Sequence, residues 1–330
     1  MGRMDVNKPV LRCICAMAFS IAFAPCLLAQ KQPVSVTAPA AAPDDKPWPR
    51  YTLNAEQTWL CNLPHGKAFD ASGLLIQPDG ALLIEDNNGI GIYRVQFTQD
   101  SKTVDLIQFP DCYTRQQLKP FAAEKVGAYD CEGITRDAEG RLYLCEEANR
   151  WILRWDPATK AVERLDIDWS SVTNYFSTDR NASFEGIAIG NGKLYVANER
   201  SAPVIIVVNL ATLKVDDHFL VEPLEPSLLG ILHYSDLSWF DEKLWVLCRQ
   251  HRVVLEVDPK TRQPIAEFKY ADLENSLGYK TVLPGVGIME GLAVDKNFIW
   301  LCTDNNGLPR YNHPKDIRPT LIRCQRPDGK

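Results

Sequence analysis

The chain has 330 residues, of which 45% are hydrophobic and 24% are charged, and its formal net charge at pH 7 is −6. This composition is typical of a globular protein with a sizeable core and excludes a largely disordered chain. The negative net charge argues against nucleic acid or anionic lipid as the partner.

The first 49 residues precede the region that we expect to fold. Arg3, Lys8 and Arg12 come before an apolar stretch over 13–29, and Ala29 offers a small residue for cleavage. We predict a signal peptide over 1–30 and a secreted or periplasmic protein, with an uncleaved membrane anchor as the alternative. The Pro- and Ala-rich segment 31–49 predicts a disordered leader. Residues 50–330 are predicted to form one domain that acts as a monomer, without membrane contact after signal cleavage.

A short motif recurs five times after the leader. Each copy begins with Ser or Glu, usually continues with Gly and an aliphatic residue, and is followed by a polar turn and an apolar run of β-type residues. The copies lie at 72–74, 132–134, 185–187, 235–237 and 290–292, so their first residues are 60, 53, 50 and 55 positions apart. A repeat of this length with several short strands per copy predicts a β-propeller.

Each repeat divides into four predicted strands. In the second copy these lie at 132–135, 141–145, 151–155 and 161–165, separated by turns that contain Asp, Pro and Gly. The fifth copy lacks one strand, and a strand predicted over 57–61 precedes the first copy. We therefore predict an all-β, five-bladed propeller whose last blade is closed by this N-terminal strand, with six blades as the alternative.

The repeats place charged side chains at one end of the expected central channel. The first motif position is occupied by Ser72, Glu132, Glu185, Ser235 and Glu290, and the end of the second strand by Asn87, Glu147, Glu199, Arg249 and Asp304. Crowded carboxylates repel one another unless a cation or proton lies among them, and oxygen ligands favour Ca²⁺ over Mg²⁺. We predict that Glu132, Glu185 and Glu290 bind Ca²⁺. The alternative is structural, with each Glu accepting backbone N–H groups from the next blade.

The tetrapeptide Asp-Asn-Asn-Gly occurs at 86–89 and at 304–307, in repeats that become neighbours when the ring closes. Turn formation is one explanation, and ligand oxygens on the same face are another. The segment 308–319 is predicted to fold over the channel mouth and bind an anion. The predicted ligand-binding residues are Asp86, Asn87, Ser72, Ser235, Asp304, Asn305 and Arg310.

Seven cysteines follow the predicted signal peptide. Ring closure would bring Cys61 and Cys324 onto neighbouring strands, which predicts a disulfide between them. A bridge between Cys112 and Cys131 is a second, less constrained possibility.

The ordered motifs resemble the phytase-like domain family, also described as "esterase-like activity of phytase". The resemblance runs over 66–325 and includes Ser72 to Leu74, Cys131 to Ile134, Asn181 to Ile187, Tyr234 to Leu237 and Met289 to Leu292. A looser similarity extends to the SdiA-regulated propellers. The family resemblance implies an exported propeller that hydrolyses phosphate or carboxylate esters.

Two functions remain open from the sequence. In a metal-dependent ester hydrolase, Glu147 or Glu199 would act as the base and Arg249 would stabilise developing negative charge. In a non-catalytic propeller, the same acidic mouth would bind a ligand or a partner protein. Neither a Gly-x-Ser-x-Gly elbow nor a His-Glu-x-x-His motif occurs.

Overall fold

The computed structural model describes residues 48–64, 69–87, 91–121 and 130–327. The predicted signal peptide, most of the predicted leader, and Asn88 and Gly89 of the first Asp-Asn-Asn-Gly segment lie outside these residues. Within them, no helix has the length and apolar character needed to cross a membrane.

The described residues form 21 strands that are joined by turns and longer loops. The first ten are β1 (Arg50–Thr52), β2 (Ala55–Asn62), β3 (Ala71–Ile76), β4 (Leu82–Asp86), β5 (Gly91–Phe97), β6 (Thr103–Gln108), β7 (Cys131–Arg136), β8 (Leu142–Glu146), β9 (Trp151–Trp155) and β10 (Val162–Arg164). The others are β11 (Phe184–Gly190), β12 (Lys193–Asn198), β13 (Val204–Asn209), β14 (Lys214–Phe219), β15 (Tyr234–Phe240), β16 (Lys243–Cys248), β17 (Val253–Asp258), β18 (Gln263–Lys269), β19 (Met289–Val294), β20 (Phe298–Thr303) and β21 (Thr320–Gln325). The described residues also contain two short α-helices, α1 (Arg115–Leu118) and α2 (Ala271–Leu277).

Four sheets contain these strands, and their order follows the sequence repeat. Two sheets are four-stranded, with the orders β10-β9-β8-β7 and β11-β12-β13-β14. A third has β15 to β18 in sequence order and adds β1 parallel to β18. The fourth has eight strands in the order β19-β20-β21-β2-β6-β5-β4-β3. It joins the fifth repeat to the first, because β2 pairs antiparallel with β21 and parallel with β6.

The predicted pairing of the N-terminal strand with the last strand of the chain is therefore confirmed. Leu60 lies opposite Thr320, and Trp59 lies opposite Leu321. The parallel pairings of β1 and of β6 were not predicted.

The first strands of the five repeats, β3, β7, β11, β15 and β19, contact one another in a closed cycle. Glycine allows this close approach. A Cβ atom on Gly133 would lie 2.9 Å from the Cα atom of Gly186, and one on Gly186 would lie 2.5 Å from that of Asp236. The sheets consequently radiate from a narrow central channel that these strands surround.

Apolar side chains fill the space between neighbouring sheets. Tyr143 of β8 packs in one buried cluster with Phe184, Val196 and Ile206 of the following sheet. Such β-branched and aromatic residues suit sheets stacked face to face.

The predicted Cys61–Cys324 disulfide is wrong. All seven described cysteines are free. Although β2 and β21 are neighbours, Cys324 lies opposite Ala55. At the rise of an extended strand, Cys61 is about 20 Å further along, far beyond the reach of a disulfide. The two thiols also belong to different core clusters. Cys112 and Cys131 share a cluster but are likewise unbridged.

Candidate functional site

A β-bulge marks the start of each of the five first strands. The register shifts lie between Ala71 and Leu74, Cys131 and Gly133, Phe184 and Gly186, Tyr234 and Asp236, and Met289 and Gly291. The extra residue of a bulge has no partner on the adjacent strand, and its side chain can be redirected. The bulged residues include Ser72, Glu132, Glu185, Ser235 and Glu290, which are the five first motif positions.

A recurring backbone hydrogen bond fixes the second set of positions. In every repeat, the residue that follows the second strand donates its N–H to the carbonyl oxygen of a residue near the start of the first strand. The donors and acceptors are Asn87 to Asp70 (3.1 Å), Glu147 to Asp130 (2.7 Å), Glu199 to Ser183 (2.7 Å), Arg249 to His233 (3.0 Å) and Asp304 to Ile288 (2.9 Å). These donors are the five residues that the sequence analysis placed at the end of the second strand of each repeat.

Both sets meet around a cavity of about 150 Å³ at one end of the channel, here called the mouth. It is lined by Ser72, Asn87, Asp130, Glu132, Glu147, Asn181, Glu185, Glu199, Arg200, Arg249, Glu290, Asp304 and Asn306. The cavity thus brings together nine of the predicted site residues: Ser72, Asn87, Glu132, Glu147, Glu185, Glu199, Arg249, Glu290 and Asp304.

The other four predicted site residues do not line this cavity. Ser235 Oγ donates to the carbonyl of Met289 at 3.1 Å, and Asp86 Oδ1 accepts from the backbone N–H of Asp70 at 3.2 Å. Asn305 Nδ2 donates to the carbonyls of Leu308 and Ile317, at 2.6 and 2.9 Å. Arg310 forms an ion pair with Asp316 at 2.5 Å. The segment 308–319 contributes no residue to the lining of the mouth.

In one part of the mouth, the groups that donate hydrogen bonds to the carboxylates are uncharged. Glu132 accepts hydrogen bonds from Ser72 Oγ at 2.9 Å and from Asn87 Nδ2 at 3.0 Å. Glu147 Oε1 accepts from the backbone N–H of Ser183 at 3.1 Å. One carboxylate oxygen each of Asp130, Glu132 and Glu147 lies within 4.8 Å of the others. We call these three residues the oxygen triad.

A second group combines two carboxylates with an imidazole. Ligand atoms of Glu185, Glu199 and His233 lie within 4.8 Å of one another, and all three residues are buried. His233 Nε2 lies 2.6 Å from Glu199 Oε1. Despite this short distance, Nε2 makes no hydrogen bond. Glu199 also pairs with Arg200. We call Glu185, Glu199 and His233 the histidine triad.

Glu290, in a third part of the mouth, faces an arginine. Arg249 forms an ion pair with Glu290 and donates from Nε to the carbonyl of Gly287 at 2.7 Å. The three Glu residues predicted to share one metal are thus distributed differently. Glu132 belongs to the oxygen triad, Glu185 to the histidine triad, and Glu290 pairs with Arg249.

Burial and mutual repulsion change the pKa values at the mouth. Burial first, and neighbouring carboxylates second, raise the pKa values of Glu132 and Glu185 well above the ordinary value. Burial likewise raises the pKa of Glu147 and that of Glu290 to about 8 each, and the pKa of Asp304 to about 6. Burial, with Arg249 and Arg200, lowers the pKa of His233 well below its ordinary value, so its ring is neutral. The carboxylates of the mouth therefore hold protons that a cation could replace.

The sequence analysis did not identify several important residues of the site and of the ring. Asp130, Arg200 and His233 each lie one or two positions from a residue that was identified, and their repeat positions could have revealed Asp130 and His233. Asp236 replaces the motif glycine in the fourth repeat and is fully buried. Its carboxylate accepts from the backbone N–H groups of Leu292 at 2.7 Å and Leu74 at 3.4 Å, which tie β15 to β19 and β3. The break in the glycine pattern was a visible signal.

Comparison with known proteins gives a family and a fold. The sequence model of the Phytase-like family, described as esterase-like activity of phytase, matches residues 67–307. No curated protein matches the sequence. Among solved structures, a glutaminyl cyclase from Myxococcus xanthus has a TM-score of 0.55 at 14% identity, over 85% of this chain and 99% of that chain. A catalytically inactive virginiamycin B lyase from Staphylococcus aureus with quinupristin has a TM-score of 0.40 at 13% identity, over 79% and 68%. The likeness to the cyclase, a β-propeller, confirms the predicted propeller fold.

Proposed function

The chain belongs to the Phytase-like family, and from this premise we propose that it is an exported, five-bladed β-propeller that hydrolyses phosphate or carboxylate esters at a Ca²⁺-binding mouth. Five blades are supported by the five bulged strands and by their closed cycle of contacts. Export is supported by the basic and apolar pattern of residues 1–30.

The observation that carries the functional proposal is the charge imbalance of the mouth. Seven carboxylates line the cavity, whereas Arg200 and Arg249 are its only cationic lining residues among those described. Both arginines are already paired with Glu199 and Glu290. The oxygen triad has no such cation among its hydrogen-bond donors, so it is the part of the mouth best suited to a divalent cation.

The oxygen triad fits Ca²⁺ by its chemistry. Calcium prefers carboxylate and other oxygen ligands, and Asp130, Glu132 and Glu147 would provide them. When bound, Ca²⁺ supplies Lewis-acid polarisation of an ester or phosphoryl oxygen.

Side chains of the mouth would transfer the proton of the attacking water. Burial raises the pKa of Glu147 to about 8 in the metal-free protein, and bound Ca²⁺ would lower it, so that Glu147 is ionised and can act as the base. It would accept a proton from the attacking water and return it to the leaving oxygen as the ester bond breaks. Arg249 would place positive charge at the cavity wall. Glu199 suits the role of base less well, because Arg200 and His233 already contact it.

A non-catalytic binding propeller is the second candidate. The pairing of both wall arginines with glutamates favours it, because this pairing reduces the charge available to stabilise an anionic transition state. The sequence also contains no recognisable nucleophile motif that would favour hydrolysis over binding.

A substrate screen tests the proposed function. Purified protein is assayed with p-nitrophenyl phosphate and p-nitrophenyl acyl esters, with added Ca²⁺ or with chelator. We expect hydrolysis that the chelator abolishes and that Glu147→Gln reduces by about 10²-fold or more. The exposed Glu163→Gln variant of the same repeat serves as the matched control. Calcium binding without turnover of any substrate would support the binding propeller instead.

A further inference from the structure

We propose that the histidine triad, Glu185, Glu199 and His233, is a second cation site that binds a first-row transition metal of the Zn²⁺ class. This site lies at the same mouth but does not depend on the proposed hydrolysis. It also differs from the proposed calcium site in residues and in ligand chemistry.

Three separate elements bring the ligands together. Glu185 is the bulged residue of β11, Glu199 directly follows β12, and His233 directly precedes β15. Their exposed fractions are 6%, 1% and 4%. Because these positions are set by two neighbouring repeats, the triad is held by the propeller framework rather than by one flexible loop.

Two atoms of the triad are buried without a hydrogen-bond partner. These atoms are Glu199 Oε2 and His233 Nε2. Buried polar atoms are rarely left unsatisfied, because each one loses its contacts with water on folding. A cation that contacts both atoms would satisfy them together.

The donor set identifies the class of metal. Imidazole nitrogen together with carboxylate oxygen is typical of Zn²⁺ and related transition metals, whereas Ca²⁺ takes oxygen ligands. Glu185 and Glu199 also line the cavity, while His233 lies behind them. Three protein ligands would therefore leave a further coordination position facing the cavity.

Arg200 is positioned to compete with the metal. Its guanidinium pairs with Glu199, and about a third of its side chain is exposed, at 30%. It can therefore withdraw to solvent when a cation binds. Removing this positive charge should strengthen metal binding, which is the opposite of what removal of a ligand would do.

Cobalt provides a direct probe of the site. Protein freed of metal by chelator is titrated with Co²⁺ alone, and the visible d–d absorption that reports coordination by nitrogen and oxygen is recorded. We expect saturable bands that Zn²⁺ displaces and that His233→Gln abolishes. His313→Gln, at an exposed histidine, and Glu132→Gln, in the oxygen triad, should both retain the bands.

The Arg200→Gln variant keeps the test decisive if His233→Gln fails to fold. It should bind Co²⁺ about tenfold more tightly than the unmodified protein. The proposal is overturned if the unmodified protein gives no bands, if His233→Gln retains them, or if Arg200→Gln binds more weakly. Failure of the hydrolysis screen alone leaves these results unaffected, so the two proposals are tested separately.

Discussion

The two ends of the central channel are built by the same five strands but differ in the charge of their lining side chains. The mouth is lined by seven carboxylates and two arginines. At the other end, a cavity of about 140 Å³ is lined mainly by aliphatic residues and Trp239, with Thr135, Arg136 and Ser238 as the polar exceptions. The bulge at the start of each strand contributes to the difference, because in four of the five repeats the bulged Ser or Glu lines the mouth. The other four lining carboxylates precede a first strand or follow a second strand. After the bulge, successive side chains of each strand again point to opposite faces of the sheet.

Between the two ends of the channel, the motif residues have a structural role. There the motif glycines and Asp236 bring the strands into contact, and the carboxylate of Asp236 accepts three backbone N–H groups. Adjacent positions of one motif therefore have different tasks. The first position supplies chemistry, and the second allows the ring to close.

The largest effect is expected from a change at this intermediate level. In Gly186→Ala, the new Cβ would lie 2.5 Å from the Cα of Asp236, and backbone cannot move aside as a side-chain end can. We expect a loss of about 3 kcal/mol or more in the free energy of unfolding, measured by urea denaturation. Gly192→Ala is the control, because its Cβ meets nothing within 4 Å and only the positive φ of 73° matters. That variant should lose about 1 kcal/mol. Equal losses in the two variants would contradict a tightly packed ring.

Arginines at the two ends should differ in their importance. Arg249→Met removes the partner of Glu290, whose side chain is 8% exposed. We expect a loss of about 3 kcal/mol at pH 8 and a smaller loss at pH 6, where Glu290 holds a proton. The double variant with Glu290→Gln should recover much of the loss. Arg136→Met at the other end removes a hydrogen bond to Gln77 and should cost about 1 kcal/mol or less. Chemical denaturation at both pH values measures these differences, and a larger loss for Arg136→Met would reverse the proposed order.

The carboxylates of the mouth should make the metal-free protein less stable as pH rises. The pKa values of Glu147 and Glu290 are about 8 in the folded protein, against an ordinary value of 4.5. Between these values the folded state binds more protons than the unfolded state, so stability falls with increasing pH. The expected slope is about 1.4 kcal/mol per pH unit for each proton retained. Denaturation in chelator from pH 5 to pH 8 measures it, and Glu147→Gln should flatten the curve. Stability that rises over this range would rule out the inferred protonation.

Much of the fold was predictable because the signals were local and repeated. Apolar runs and Asp, Pro or Gly turns identified strands such as β8, β12 and β16, and repetition identified the ring. The pairing of β2 with β21 followed from a missing strand in the fifth repeat. The parallel additions of β1 and β6 could not be predicted, because they depend on contacts between distant ends of sheets.

The site was predictable where residues recur and unpredictable where they do not. Repetition identified both sets of mouth positions, including Glu132 and Glu147. It could not divide them into two triads and an arginine pair, since side-chain direction depends on each bulge. The Cys61–Cys324 error arose for a similar reason. Neighbouring strands were inferred correctly, but their register and the face of the sheet to which each thiol points are set by tertiary packing.

Calcium calorimetry tests the central claim, that the mouth is a cation site, most directly. Protein freed of metal is titrated with Ca²⁺ at pH 8.5 and at pH 6, together with Glu132→Gln and the exposed control Glu163→Gln. We predict saturable binding that is stronger at pH 8.5, because fewer protons then compete for the carboxylates. Glu132→Gln should weaken it by about tenfold or more, and Glu163→Gln should leave it unchanged. No heat and no rise in melting temperature at millimolar Ca²⁺ would contradict the claim and leave the carboxylates with a structural role.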